Sequence, residues 1–89
     1  MVWQINMSET AEKQLAKLDR PVAQRIRSFL RERVAALDDP RSIGEALKGS
    51  KLGEFWKYRV GDWRLICEIR DKQILITVLS LGNRREVYR

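Results

Sequence analysis

The chain has 89 residues, of which 44% are hydrophobic and 34% are charged, with five glycines and two prolines. This composition excludes wholesale disorder, and no apolar run approaches the roughly 20 residues that a membrane-spanning helix needs. The net charge of +6 fits either a polyanionic partner such as nucleic acid or a surface that is basic for solubility, so the placement of the charges must decide.

The cysteine count and the first seven residues indicate the cellular compartment. Cys67 is the single cysteine and the chain has no histidine, so the sequence predicts neither an internal disulfide nor a structural zinc site. Cys67 alternates with apolar neighbours and is interpreted as a core residue. The stretch from Met1 to Met7 lacks the basic start and long apolar run of a secretory signal, so we expect a cytoplasmic protein. Residues 1–89 are expected to form one domain.

The first half of the chain predicts a strand followed by a helical hairpin. "VWQINM" alternates, with Trp3 and Ile5 on one face. Ser8 is placed to cap a short helix from Glu9 to Leu18, and Pro21 suits the first turn of a second helix. The apolar face of that second helix carries Val22, Ile26, Phe29, Leu30, Val34 and Leu37. The outward faces of both helices are basic and carry Lys13, Lys17, Arg25, Arg27, Arg31 and Arg33.

The second half begins with a glycine-rich loop and then changes to period two. The loop is "RSIGEALKGSKLGEF", and three strands follow it: "FWKYRV", "WRLICEI" and "ILITVLSL". Short turns at "GD" and "RDKQ" join them into an antiparallel meander. The last of the three is expected to be the central strand of the sheet. The predicted fold is α+β, in which an N-terminal strand and a two-helix hairpin pack on a small antiparallel sheet.

Cations of the second half are predicted to share one face of this sheet. Lys57 and Arg59 are two residues apart in one strand, and Arg64 lies just past the turn in its partner. The meander also brings the segment with Arg84 and Tyr88 to the same place. The alternative is a sheet face that is basic but binds nothing. The opposite face, expected to pack on the helices, carries Trp56, Tyr58, Leu65 and Ile69.

A phosphodiester would suit such a face. Between Lys48 and Ile69 the acids are Glu54, Asp62 and Glu68 alone, so the cations have few partners to offset their mutual repulsion. The planar fork of arginine matches phosphate oxygens. Rings that could stack on bases, at about 1–3 kcal/mol per base, belong to Tyr58, Trp63 and Tyr88.

The same residues could carry catalysis. A chain without histidine, a carboxylate cluster or a phosphate-binding glycine loop is left with tyrosine and the cations. Positive neighbours lower the pKa of a phenol and stabilise the charge on a phosphorane-like transition state. Since RNA supplies its own nucleophile in the 2′-OH, tyrosine with lysine or arginine is sufficient for RNA cleavage without a metal.

At this point the sequence resembles a known family. The segments "LKGSKLGEFWKYRVGDWRLICEI" and "ILITVLSLGNRREVY" are similar to the RelE/ParE superfamily of bacterial type II toxins, and the resemblance covers nearly the whole chain. It implies a RelE-like fold. Toxins of the RelE branch cleave mRNA in the ribosomal A site by 2′-OH attack, without metal or cofactor. Toxins of the ParE branch inhibit DNA gyrase.

The residues follow the RelE branch, and their roles are what this resemblance implies. Tyr88 would be the general base, Lys57 or Arg59 the proton donor and charge stabiliser, and Arg64 and Arg84 the phosphate clamps. Lys57 is the better acid, because Arg59 stands where the most similar family members carry lysine and arginine hardly releases its proton. Further RNA contacts are expected from Lys48, Lys51, Trp63, Arg85 and Arg89.

The resemblance also implies partners: a RelB-like antitoxin, the ribosome with its mRNA, and operator DNA through the antitoxin complex only, but no membrane. A basic sheet face with an apolar groove would suit an acidic amphipathic antitoxin segment. The leading hypothesis is a ribosome-dependent mRNA endonuclease toxin. The alternatives are a gyrase inhibitor without nuclease activity and a non-catalytic RNA-binding module.

Overall fold

A computed structural model describes residues 2–49 and 53–83 of the chain. The helices and strands are β1 Gln4–Met7, α1 Glu9–Ala16, α2 Arg20–Ser28, β2 Glu45–Ala46, β3 Phe55–Val60, β4 Trp63–Arg70 and β5 Leu75–Asn83. A π-helical segment, Phe29–Val34, continues α2, and 3-10 turns lie at Pro40–Ser42 and Asp71–Gln73. No helix in this part of the chain is long and apolar enough to cross a membrane.

The helical hairpin begins at the predicted cap. The Ser8 hydroxyl accepts a hydrogen bond from the Ala11 amide at 3.1 Å and donates one to the Leu79 carbonyl at 2.7 Å. One side chain therefore satisfies the start of α1 and ties it to β5. Pro21 occupies the first turn of α2, as predicted. Leu30 and Val34 are buried in the π-helical continuation, so the apolar face extends beyond α2.

The sheet has five strands in the order β1-β5-β4-β3-β2. The predicted antiparallel meander of β3, β4 and β5 is confirmed. Two expectations need correction: the sheet is mixed rather than antiparallel throughout, because β1 pairs in parallel with β5, and the middle strand is β4 rather than β5. The connection between these parallel neighbours contains both helices and strands β2 to β4, which makes it long enough for a parallel pairing.

The predicted glycine-rich loop contains the edge strand β2, which pairs Glu45 with Lys57 and Ala46 with Trp56. Gly44 makes this pairing possible. Its φ is +81°, and a Cβ at this position would lie 2.5 Å from the Lys57 carbonyl oxygen. Only glycine fits both constraints.

Arg41 fixes the same loop to the sheet. Its guanidinium donates to both carboxylate oxygens of Asp71, at 2.8 and 3.0 Å, and its Nε donates to the Gly53 carbonyl at 2.9 Å. This ion pair holds the pKa of Asp71 below its usual value. The loop before β3 is thereby tied to the turn between β4 and β5, which positions β2 beside β3.

The core lies between the helices and one face of the sheet. Fully buried members include Leu15 and Ile26 from the helices and Tyr58, Leu65 and Val78 from the strands. Cys67 is buried among them, which confirms its interpretation as a core residue. Burial raises the pKa of its thiol to about 12, so the thiolate is scarce near neutral pH.

Candidate functional site

Three cations lie together on the sheet face that points away from the helices. Arg59 on β3 is the register partner of Arg64 on β4, and Lys57 is two residues before Arg59. The neighbouring pair, Tyr58 and Leu65, is fully buried on the helix-facing side. The predicted placement of Lys57, Arg59 and Arg64 on one face is therefore confirmed.

These side chains line one pocket of about 310 Å³. Its lining residues are Gly44, Glu45, Lys57, Tyr58, Arg59 and Arg64. We call it the basic pocket. Three cations stand against one carboxylate, which gives the pocket a net positive charge suited to a phosphate group.

Lys57 has a carboxylate partner that the sequence did not reveal. Its Nζ lies 3.3 Å from Glu45 Oε1, and its side chain is 13% exposed against 65% for Glu45. The expectation that the cations meet few acids is wrong at this position. Glu45 lies outside the stretch between Lys48 and Ile69 and reaches Lys57 from β2, a segment that the sequence predicts as loop.

Arg64 is nearly fully buried, at 2% exposure. Its Nη1 makes long hydrogen bonds to the carbonyls of Gly61, at 3.4 Å, and Trp63, at 3.3 Å. Its buried Nε has no hydrogen-bond partner within the described ranges. A guanidinium removed from water without a carboxylate partner costs free energy, and a bound anion would recover part of that cost.

The predicted residues at the chain end, and one in the loop, lie outside the described residues: Lys51, Arg84, Arg85, Tyr88 and Arg89. The described part of β5 shows where that segment starts. Gly82, two residues before Arg84, is the register partner of Arg64. The last described residues of β5 therefore lie beside the strand that carries Arg64.

Two aromatic side chains in the described ranges were expected to stack on bases. Tyr58 is fully buried, its hydroxyl donates to the Pro40 carbonyl at 2.6 Å, and its ring packs edge-on against Phe29. Burial raises the pKa of this phenol. Trp63 pairs with Val60 and packs against the core. The ring of Tyr58 is fully buried, so the expectation that it stacks on bases is wrong. Trp63 is partly buried, and RNA contact by this residue stays a prediction.

Lys48, also expected to contact RNA, is exposed in the turn after β2 and does not line the basic pocket.

We expect Tyr58→Phe to lower the free energy of unfolding by about 1–2 kcal/mol, because the buried Pro40 carbonyl would lose its donor. Phosphate binding at the basic pocket should not change, since this hydroxyl donates to Pro40 in the core. Urea denaturation and calorimetric titration with inorganic phosphate measure the two effects. A loss of phosphate binding at unchanged stability would instead place Tyr58 in the functional site.

Several outward cations of the helices have acidic partners. Lys13 pairs with Glu9 at 3.1 Å, and Arg27 pairs with Glu12 at 3.8 Å. No group of three or more His, Cys, Asp or Glu side chains in the described ranges could hold a metal ion.

Comparison with known proteins decides the family. Residues 5–88 match the family described as "ParE toxin of type II toxin-antitoxin system, parDE". The chain belongs to this toxin family. It is also 30% identical, over 84 residues, to a RelE-like toxin protein of Escherichia coli; the match covers 94% of this chain and 85% of the relative. The predicted membership of the RelE/ParE superfamily is confirmed.

Solved structures of RelE toxins share the fold of this toxin. A mutant of Escherichia coli toxin RelE in the free state is 26% identical, with a TM-score of 0.75 over 99% of this chain and 92% of that one. The toxin–antitoxin complex RelBE2 of Mycobacterium tuberculosis gives a TM-score of 0.81 over 94% and 93% of the chains, at 21% identity. The predicted α+β, RelE-like architecture is confirmed.

Proposed function

We propose that this toxin is a ribosome-dependent endoribonuclease that cleaves mRNA in the A site and so stops translation. The observation that carries the proposal is the basic pocket, where the buried Arg64 lies with Lys57 and Arg59. The cost of burying a guanidinium is understandable where a phosphate group binds beside it. The likeness to a RelE-like toxin protein and to a solved RelE toxin supports the same activity.

The reaction would be an in-line attack of the 2′-oxygen on the neighbouring phosphorus. The new P–O2′ bond forms as the P–O5′ bond breaks, leaving a 2′,3′-cyclic phosphate and a 5′-hydroxyl. A base accepts the 2′-OH proton and an acid donates one to the departing 5′-oxygen. Lys57 would be that acid, and Arg59 and Arg64 would hold the phosphate oxygens.

The roles of Arg84 as a second clamp and Tyr88 as the base rest on the family resemblance. The proposed reaction needs no cofactor or metal, because the nucleophile belongs to the RNA and the charge stabilisation to the cations. How far the reaction proceeds on free RNA depends on orientation, which the ribosome would provide.

We propose a RelB-like antitoxin as the natural partner, in the cytoplasm, with operator DNA bound only through the complex. RelE toxins of Mycobacterium tuberculosis and Escherichia coli have been solved as antitoxin complexes. The Glu45–Lys57 pair illustrates how a carboxylate can occupy the basic pocket. Acidic side chains of an antitoxin would compete with phosphate in the same way.

The open edge of β1 offers such a partner a place to dock. The amides of Gln4 and Ser8 donate to Ile74 and Val78, at 2.9 Å each, so those of the alternate residues Ile5 and Met7 point away from β5. An apolar groove of about 440 Å³ lies beside this edge. The groove residues include Val2, Trp3, Leu30, Arg27 and Arg31. An extended apolar and acidic segment fits both the edge and the groove.

Mapping the 5′ ends of transcripts after induction tests the function. We expect new 5′ ends within ribosome-bound codons, together with arrested protein synthesis. The ParE description of the family favours a second candidate, inhibition of DNA gyrase. Defective DNA supercoiling with intact mRNA would support that candidate. Arrested translation without mRNA cleavage would support the remaining alternative, a module that binds RNA but does not cleave it.

A further inference from the structure

A second basic cleft lies on the other side of β3, between this strand and α2 with its π-helical continuation. Its volume is about 700 Å³. Its lining residues include Arg25, Arg33 and Arg59, with Glu32 as the one acidic residue among them. We call it the helix cleft. Apolar lining comes from Phe29, Ile43 and Val60.

The β3–β4 turn helps to shape the helix cleft. Gly61 has φ +60°, and a Cβ at this position would lie 3.1 Å from Arg25 Nη1. A larger residue would therefore be strained and would press on the guanidinium. Because position 61 carries no side chain, Arg25 can lie directly against the turn.

Within the part of the chain that the structure describes, the arginines of the helix cleft have no acidic partner, unlike three other arginines. Arg27, Arg41 and Arg70 each form an ion pair with a carboxylate. Within residues 2–49 and 53–83, neither an ion pair nor a side-chain hydrogen bond engages Arg25, Arg33 or Arg59. Three unpaired guanidinium groups around one concave surface repel each other, and a polyanion would relieve that repulsion.

Arg59 lines both the basic pocket and the helix cleft. The two sites therefore adjoin at Arg59, and we call their cations together the row of cations: Lys57 and Arg64 line the basic pocket, and Arg25 and Arg33 line the helix cleft. We propose that the helix cleft is a second phosphate-binding site, which holds the RNA backbone beside the scissile phosphodiester. This inference rests on the proposed function, since it assumes that RNA occupies the basic pocket.

The charge pattern favours RNA over an acidic peptide. Successive phosphates carry their charges at regular intervals along one strand, which matches the row of cations. The apolar lining from Phe29 can receive a base or ribose at the same time. The phosphates could belong to the mRNA strand or to ribosomal RNA, and both present the same group.

The test uses the double variant Arg25→Gln/Arg33→Gln in the full chain, with programmed ribosomes as substrate. We expect KM to rise at least about tenfold at physiological salt, with kcat unchanged, because two backbone contacts are lost outside the reacting centre. The slope of log KM against log salt should fall by about 1.5, at roughly 0.7–0.9 per contact. Circular dichroism confirms the fold of each variant.

The matched control is Lys17→Gln/Arg20→Gln, which removes the same charge from exposed positions of the helical hairpin outside the cleft. We expect its KM to stay within about threefold of the parent. An equal rise of KM in both variants would mean that only net charge matters, and would overturn the proposal. So would a fall of kcat at constant KM in the cleft variant.

Ribosomes programmed with mRNA that ends at the A-site codon separate the two RNA sources. If the rise of KM in the cleft variant persists on this substrate, the helix cleft binds ribosomal RNA. If the rise disappears, the cleft binds the mRNA strand. Weaker antitoxin binding with unchanged ribosome binding would give the cleft to a peptide and overturn the proposal. If the parent chain cuts no mRNA, the proposed function fails, and ribosome sedimentation with both variants still tests the cleft.

Discussion

Arg64→Met is expected to slow cleavage of ribosome-bound mRNA by about 100-fold or more and to leave the toxin as stable as before, or more stable. The loss of rate follows from removing a fixed donor to the phosphate, for which factors of about 10²–10³ are typical. Arg64 is 2% exposed in the wall of the basic pocket, so solvent cannot easily replace it.

The unchanged stability follows from the unsatisfied contacts of Arg64. Its Nε has no partner in the described part of the chain, and the bonds from its Nη1 are 3.3 and 3.4 Å long. Replacing a poorly compensated buried charge by an apolar side chain of similar length is often neutral or stabilising. Single-turnover cleavage and urea denaturation measure the two quantities on the same preparation.

Arg70→Met is the matched control. Arg70 lies on the same strand and the same face as Arg64, but it is exposed and pairs with Glu68 at 2.9 Å, away from the basic pocket. We expect no change in the cleavage rate. If Arg64→Met cleaved normally, or if it lost stability in proportion to activity, Arg64 would be a structural residue and not a phosphate clamp.

Strand faces could be predicted because local signals determine them. The alternation in "FWKYRV" and "WRLICEI", with a two-residue turn between them, fixes both the faces and the register. Lys57, Arg59 and Arg64 were therefore placed together correctly. The same alternation puts Tyr58 with Val60 on the buried face, so its exclusion from base stacking was also readable from the sequence.

Pairings between distant segments could not be predicted. The parallel neighbours β1 and β5 are separated by the whole helical hairpin, and no turn sequence encodes their register. β2 has two residues, too few to show the alternation of a strand, so the sequence predicts a loop at Glu45. The burial of Arg64 likewise depends on tertiary packing rather than on its neighbours in the chain.

The ion pair between Glu45 and Lys57 changes how the basic pocket is understood. The Glu45 carboxylate lies 3.3 Å from Lys57 Nζ and lines the basic pocket. Under the proposed function, RNA binding would exchange this carboxylate for a phosphate at the proposed proton donor. Glu45 is also the one carboxylate that lines this pocket in the described ranges, which makes it a rival candidate for the general base.

Tyr88→Phe is expected to slow cleavage by about 10²–10⁴-fold, the usual loss on removing a general base, while ribosome binding is unchanged. The substitution deletes one oxygen and keeps the ring. The assignment of Tyr88 rests on the family resemblance, since this residue lies outside the described ranges. It is consistent with Tyr58 being unable to serve, because that hydroxyl is buried and donates to Pro40.

Glu45→Gln is the discriminating companion to Tyr88→Phe. It keeps the size of the side chain and removes the carboxylate that lies 3.3 Å from Lys57. If tyrosine is the base, this variant should cleave within about tenfold of the parent, because it loses only a competitor for the phosphate site. Single-turnover rates on programmed ribosomes decide between the two residues. An active Tyr88→Phe together with an inactive Glu45→Gln would transfer the role of base to Glu45 and make the Glu45–Lys57 pair the acid–base couple of the reaction.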